Sequence, residues 1–284
     1  MPDERGAGAS DELVLWDSTD GIATITLHRP DRHNAFTIDM EHRYFDLLER
    51  AGDDPDVRVV VVTGAGRSFC PGLDMEALRD GVAAGALATS RPRRPHTYPT
   101  TVPKPIIAAI NGACAGLGLV VALMCDIRFA VRGAKMTTAW SRRGLVAEHG
   151  MSWVIPRIVG FPKGLELMMS GRTFTTDEAH ELGMVHRLAD ADSLLDDVRA
   201  YAADLIANVS PVSLAYIKWQ AYRDLERASM NAAWQHSMFM AHDANEFPDP
   251  AEGVRSFMER RPPNFPPLPP GFDVGARVRR SAMD

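Results

Sequence analysis

Apolar and polar positions alternate with a period of two from Ile22 to Leu27, and the apolar run Leu13 to Trp16 precedes them. This pattern predicts an opening β-hairpin with Asp20-Gly21 at its turn. Met40, Tyr44, Leu47 and Leu48 then recur at helical spacing up to Gly52, so a helix is expected from Met40 to Ala51. Two strand-like apolar runs follow, Val57 to Thr63 and Ile106 to Ile110. Each runs directly into a glycine-marked segment: Gly64-Ala-Gly-Arg-Ser-Phe-Cys-Pro-Gly-Leu-Asp74 and, about forty-five residues on, Asn111-Gly-Ala-Cys-Ala-Gly-Leu-Gly-Leu119. The recurring strand, glycine loop and helix read as an α/β protein of β-β-α units, although the same alternation also suits a doubly wound sheet. From Leu194 the pattern turns helical, over Leu194 to Val209, Val212 to Leu225, Met230 to Asn245 and Ala251 to Arg260, broken at Ser210-Pro211 and Pro248.

The glycine segments carry the candidate chemistry. Each lies where backbone amides leave a strand and become free to bind a ligand oxygen, and two N–H groups aimed at one point make an oxyanion hole. Gly116-Leu-Gly118 also opens a helix, Leu119 to Met124, whose positive N-terminal pole adds to the field there. A dinucleotide fingerprint is incomplete, because Val121 stands where G-x-G-x-x-G needs its third glycine. No glycine there is followed by Lys-Ser or Lys-Thr, so a Walker loop is excluded as well.

At these segments the chain resembles the crotonase, or enoyl-CoA hydratase/isomerase, superfamily. The matching stretches are Asn34-Ala35, Phe69 to Asp74, Pro105 to Asp126, Ser170-Gly171 to Val185 and Phe257 to Phe265, so the likeness spans about residues 12 to 265. The resemblance implies a spiral of β-β-α units over 12–193 and a helical region over 194–261 that builds trimers, often paired into hexamers. It also implies an acyl-CoA thioester as substrate, with no cofactor beyond the coenzyme A that the substrate carries. In the family, two backbone amides stabilise the enolate oxygen, and here they fall on Leu73 and Leu117. The resemblance places the coenzyme near His33, Ala35 and the backbone from Gly72 through Asp74 to Met75; Gly116, Val120 and Trp140 are further candidate substrate contacts, with Trp140 expected to shape the acyl pocket. His33 occupies a place often taken by Arg or Lys; Arg32, Arg260 and Arg261 are alternative phosphate contacts. Asp74 is expected to brace its loop, since a carboxylate aimed at the oxyanion would oppose it.

The main departure from the hydratases concerns the base. Their two glutamate positions are Val120 and Trp140 here, and neither side chain can carry a proton. Glu148 instead resembles the acidic residue of enoyl-CoA and dienoyl-CoA isomerases in the superfamily. A glutamate desolvated beside Trp140, Val120 and Trp153 would have its pKa raised from ~4.3 and shuttle protons near neutrality. One carboxylate suffices to move a double bond, so isomerisation with Glu148 as base is the leading expectation. A hydratase with Glu148 activating water, a nucleophilic Glu148, and a non-catalytic acyl-CoA-binding oligomer are the alternatives. From spacing alone Glu148 also reads as an acid preceding a helix near Met151, and adjacent His149 as structural or as a second proton carrier.

Composition narrows the rest. A chain of 284 residues, 45% hydrophobic and 24% charged, is long enough for a large core. A net charge of −6 argues against nucleic acid. The apolar stretch Leu117 to Cys125 stops at Asp126, short of a membrane span, and Met1 to Ser10 holds no apolar signal core, so a cytoplasmic protein is expected. Cys70, Cys114 and Cys125 form neither a disulfide framework nor a C-x-x-C metal spacing, and no metal site is expected. Residues 1–11 read as disordered, and the proline-rich tail 262–284 as an extended or disordered arm. The stretch from Gly81 to Pro103, with its basic Arg91-Pro-Arg-Arg-Pro-His96, reads as a long loop and a candidate lid.

Overall fold

The computed structural model describes residues 12–76, 79 and 94–281. The disordered segment expected over 1–11 and most of the candidate lid lie outside these residues. Strands β1 (Val14–Thr19) and β2 (Ile22–Leu27) form the antiparallel hairpin. Asp20 and Gly21 at its turn take φ of 53° and 79°, the left-handed pair that a tight two-residue hairpin needs. Helix α1 (Ile38–Asp53) starts at Thr37, whose hydroxyl accepts from the Met40 N–H at 3.2 Å. It ends over Lys104, whose ammonium donates to the Ala51 and Asp54 carbonyls at 2.7 and 2.5 Å.

Three β-β units follow: β3 (Val59–Gly64) and β4 (Ser68–Cys70), β5 (Ile106–Ile110) and β6 (Ala113–Ala115), and β7 (Ile127–Val131) and β8 (Lys135–Thr137). The first strand of each unit joins one sheet and the second joins another. The large sheet therefore runs β1-β2-β3-β5-β7-β10, and the small one β4-β6-β8-β9, where β9 is Phe174–Thr175 and β10 is Arg187–Ala189. From β2 through β10 the large-sheet pairs are parallel. Every unit thus advances one strand in both sheets, which is a spiral and not a doubly wound sheet.

The large sheet is covered on both faces, so β3 reads as an unbroken apolar run. Val60 and Val62 face a core that includes Phe36, Phe69 and helix α2 (Leu117–Met124), while Val59 and Val61 face a second core. Helices α3 (Met151–Val159), α4 (Phe161–Ser170) and α5 (Thr176–Glu181) follow β8 and flank β9. Helix α6 (Leu194–Asn208), the first of the C-terminal series, closes the second core with Leu194, Val198 and Ala202.

Helices α7 (Pro211–Asp224), α8 (Met230–Ala244) and α9 (Asp249–Glu259) complete the helical region. A strut ties α7 to the spiral, with Lys218 donating to Asp126 at 2.8 Å and Tyr222 to the same carboxylate at 3.1 Å. The tail departs from the expected free arm. Leu268, Phe272 and Val274 are buried against Val212, Tyr216 and Met240, and Val274–Ser281 forms helix α10. Arg277 there donates to Asp243 at 2.8 and 2.9 Å, while the Tyr216 hydroxyl donates to the same carboxylate. Apolar side chains spaced among the prolines supply a surface that the polar composition concealed. No helix among the described residues is long and apolar enough to cross a membrane.

Candidate active site

The β4 and β6 ends lie side by side, so the loops after them meet. Gly72 has φ +113°, and a Cβ there would stand 3.2 Å from the Ala115 carbonyl oxygen and 3.4 Å from the Leu117 nitrogen. Only glycine combines that dihedral with that approach. Gly118 is constrained from the other side, since its Cβ would lie 2.2 Å from the Cys70 carbonyl oxygen. Helix α2 therefore packs directly on β4, bringing its N-terminus to the Gly72 loop.

The direction of each amide follows from its neighbours. Phe36 N–H donates to the Gly72 carbonyl and Asp74 N–H to the Phe36 carbonyl, both at 2.8 Å, as a parallel bridge between Phe36 and Leu73. Alternation along an extended chain then turns the Leu73 N–H to the opposite side. Gly116 N–H donates to Thr137 at 3.2 Å, which leaves Leu117 as the first residue of α2 with no intrahelical acceptor. Neither the Leu73 nor the Leu117 amide donates within the described residues. Both residues line one cleft of ≈ 490 Å³.

That cleft also gathers His33, Ala35, Gly72, Asp74, Met75 and Gly116 together with Trp140, Glu148 and His149. The Asp74 carboxylate is engaged within its loop: Arg29 reaches it at 3.1 Å, and Glu76 N–H donates to it at 3.0 Å. Asn34 is fully buried, accepting from Arg29 N–H at 2.9 Å and donating to the Ala65 and Ser68 carbonyls at 2.9 and 2.7 Å. It locks the turn that carries His33 and Ala35 onto the first glycine loop. The His33 ring in turn reaches the Ser68 hydroxyl at 3.1 Å. Burial pushes the Cys70 thiol, which also contacts Gly72, up to about 12, so it stays a protonated packing group.

Two expectations fail. Val120 is fully buried in the main core and does not line the cleft, because the fourth position of α2 faces inward. Glu148 is exposed in the single chain, since residues 144–150 form an irregular segment outside the core. Of the three residues expected to desolvate it, only Trp140 shares its cleft. Trp153 lines a separate cavity of ≈ 470 Å³ and stacks under Arg157 at 3.9 Å.

Sequence reasoning passed over several residues here. Arg143, Leu145, Thr138 and Ala139 line the cleft, where Arg32 and Arg143 stand among the carboxylates of Asp31, Asp74, Glu76 and Glu148. Arg261 is engaged elsewhere, bridging Glu252 and Glu259 at 2.6 Å each. Glu41 and His96 form a buried pair behind the cleft, with 3.8 Å between Oε2 and Nε2. No periodicity or short motif joins residues so far apart in the chain.

The fold is an α/β spiral whose cleft is lined by both Leu73 and Leu117, and the family model described as enoyl-CoA hydratase/isomerase matches residues 17–267. The chain belongs to the enoyl-CoA hydratase/isomerase family and is an enzyme of the hydratase/isomerase type. It is 32% identical over 259 residues to the 1,2-epoxyphenylacetyl-CoA isomerase of Escherichia coli (strain K12), covering 89% of this chain and 98% of that protein. It is 31% identical over 260 residues to the (E)-benzylidenesuccinyl-CoA hydratase of Thauera aromatica, covering 89% and 98%. Among solved structures, a probable enoyl-CoA hydratase/isomerase from Mycobacterium abscessus superposes with a TM-score of 0.82 at 29% identity, covering 90% of this chain and 99% of that one.

Proposed function

We propose that the enzyme shifts a carbon–carbon double bond of an enoyl-CoA thioester through an enolate, with the Leu73 and Leu117 amides donating to the thioester oxygen and Glu148 taking the α-proton. The observation that carries this reading is the meeting of both amides with Glu148 in one cleft, while the two hydratase glutamate positions hold Val120 and Trp140. Removing an α-proton moves charge to the carbonyl oxygen. Two preorganised N–H donors act on that charge where it develops, and a helix N-terminus adds to them. Asp74 stays harmless to the oxyanion because Arg29 holds it. Arg32 and Arg143 at the rim suit the phosphates of coenzyme A, and no cofactor beyond that coenzyme is required. The 1,2-epoxyphenylacetyl-CoA isomerase among the relatives supports isomerisation of an acyl-CoA thioester as the broad class, its named substrate being an epoxide and not an enoyl group.

Hydration is the second reading, favoured by the exposure of Glu148 to water and by the hydratase among the relatives. Met230, Trp234 and Met238 on α8 and Val254, Phe257 and Met258 on α9 are exposed apolar side chains, which supports assembly into a trimer or hexamer. The expected setting is the cytoplasm.

The test is to incubate wild type and Glu148→Gln with 3-enoyl-CoA and 2-enoyl-CoA substrates, following conjugation by absorbance and products by mass. Conversion of the 3-enoyl substrate by wild type, with a loss of about 10²–10⁴-fold in the variant, supports isomerisation. A product heavier by one water supports hydration. Undiminished conversion by the variant would remove Glu148 from the reaction.

A further inference from the structure

The cleft contains a second titratable group that isomerisation by one carboxylate leaves unused. His149 lines the cleft next to Glu148, and its backbone takes φ +55°, a left-handed conformation uncommon for a side-chain-bearing residue. That conformation brings its ring against His96, with centroids 4.1 Å apart and planes inclined by 48°. His96 is buried, packed edge-on by Phe45 at 5.3 Å, and its Nε2 lies 3.8 Å from the Glu41 carboxylate. Glu41 belongs to the first turn of α1, where the helix N-terminus favours negative charge.

A buried carboxylate and imidazole are costly to hold in a core unless they interact. Here they end at the back of a ring that faces the substrate cleft. The ring pair has the Glu41 carboxylate against its His96 end, and its His149 end opens on the cleft that Glu148 also lines. One proton on the ring pair is attracted to the Glu41 carboxylate, whereas two protons at this separation repel. The pair therefore suits a group that gains and loses a single proton.

We propose that His149 is a second acid–base residue of this site, held in place by the Glu41–His96 pair, so that C2, which loses a proton, and C4, which gains one as the double bond shifts, exchange protons with two different groups. This rests on the enolate reading above. Glu148 removes the C2 proton, and the C–H electron pair passes into the enolate. The enolate electrons then form a new bond at C4 to the proton released by the His149 imidazolium. The protonated carboxyl and the neutral imidazole return to their starting states by proton exchange with water, leaving the sum of atoms and charge unchanged. His149 is the catalytic residue of this step, and His96 is a positioning residue that acts through it.

The test compares wild type, Glu148→Gln, His149→Asn and His96→Phe in heavy water, on a panel of straight-chain and aryl-substituted 3-enoyl-CoA thioesters. Deuterium is read separately at C2 and C4 by NMR. Asparagine tolerates the left-handed conformation at 149, and phenylalanine keeps the ring contact at 96. His149→Asn is expected to keep C2 exchange and KM while C4 labelling and kcat fall by about 100-fold or more. His96→Phe is expected to lower kcat with KM unchanged, by less than His149→Asn does. If His149→Asn labels C4 and isomerises at the wild-type rate while Glu148→Gln loses C2 exchange, the proposal fails and the Glu148 reading stands. If Glu148→Gln keeps C2 exchange, the base reading itself fails. Absence of C2 and C4 exchange by wild type across the panel overturns both.

Discussion

Replacing Gly72 by alanine separates the conformational demand on the first glycine loop from its proposed role at the reacting oxygen. Its φ of +113° costs a side-chain-bearing residue about 1–3 kcal/mol. The new methyl would stand 3.2 Å from the Ala115 oxygen, a tight approach that backbone must relieve by moving a few tenths of an ångström, and 3.4 Å from the Leu117 nitrogen. An acceptor oxygen needs about 2.7–3.1 Å to such a donor, so the methyl competes for the same space. Gly133→Ala is the matched control, because Gly133 also has positive φ (+70°) but meets nothing within 4 Å. Both variants are expected to lose about 1–3 kcal/mol in urea unfolding. Only Gly72→Ala should lose about 10²–10³-fold in kcat, the size of one oxyanion donor. If Gly72→Ala is destabilised like the control yet turns over enoyl-CoA at the wild-type rate, the Leu117 amide does not serve the reacting oxygen.

Restoring the hydratase glutamate by Val120→Glu should not create a hydratase. It places an unpaired carboxylate in a fully buried position at a cost of several kcal/mol, so urea unfolding should shift sharply, and a stable variant that hydrates would contradict the inward orientation of Val120. His186 Nδ1 accepts from Arg128 N–H at 3.2 Å, and burial, with Arg128 and His180 nearby, pulls the imidazole down to about 4. The unfolded chain then binds this proton first as pH falls from about 6.5 to about 4, so stability declines across that window. Unfolding of His186→Gln across the same pH range should show a flatter dependence, and an unchanged slope would exclude His186 as its source. Arg277→Leu leaves the buried Asp243 carboxylate without its guanidinium and should cost about 1–3 kcal/mol while making the chain beyond Pro262 sensitive to limited proteolysis. Resistance equal to wild type would show that burial of Leu268 and Phe272 alone holds the tail.

Much of this architecture is legible in the chain because its signals are local. The hairpin shows in the alternation of Ile22 to Leu27, and the two glycine loops show where apolar runs end at residues small enough for backbone to approach backbone. What was hidden depends on partners remote in sequence. Whether position 120 of α2 faces the cleft or the core is settled by how α2 sits on β4, and no spacing within the helix encodes that. The tail looked unstructured because its composition is dominated by proline, while the burial of Phe272 depends on a groove supplied by α7 and α8. Glu41, His96 and His149 come from three separate segments, so their association exists only once the chain has wound.

The glycine contacts and the irregular segment over residues 144–150 differ in what surrounds them. Gly72 and Gly118 are wedged against backbone of neighbouring strands, whereas Val146 is 76% exposed and Gly144 and Gly150 meet nothing within 4 Å. The anchoring geometry is thus fixed by the core, whereas Glu148, Val146 and Gly150 project from an irregular segment that touches the core only through Leu145, Ala147 and the His149 ring. Exchanging the exposed residues of that segment is a mild perturbation of folding, while exchanging the glycines is not. A scaffold divided in this way can change which reaction it performs without first having to solve its stability again.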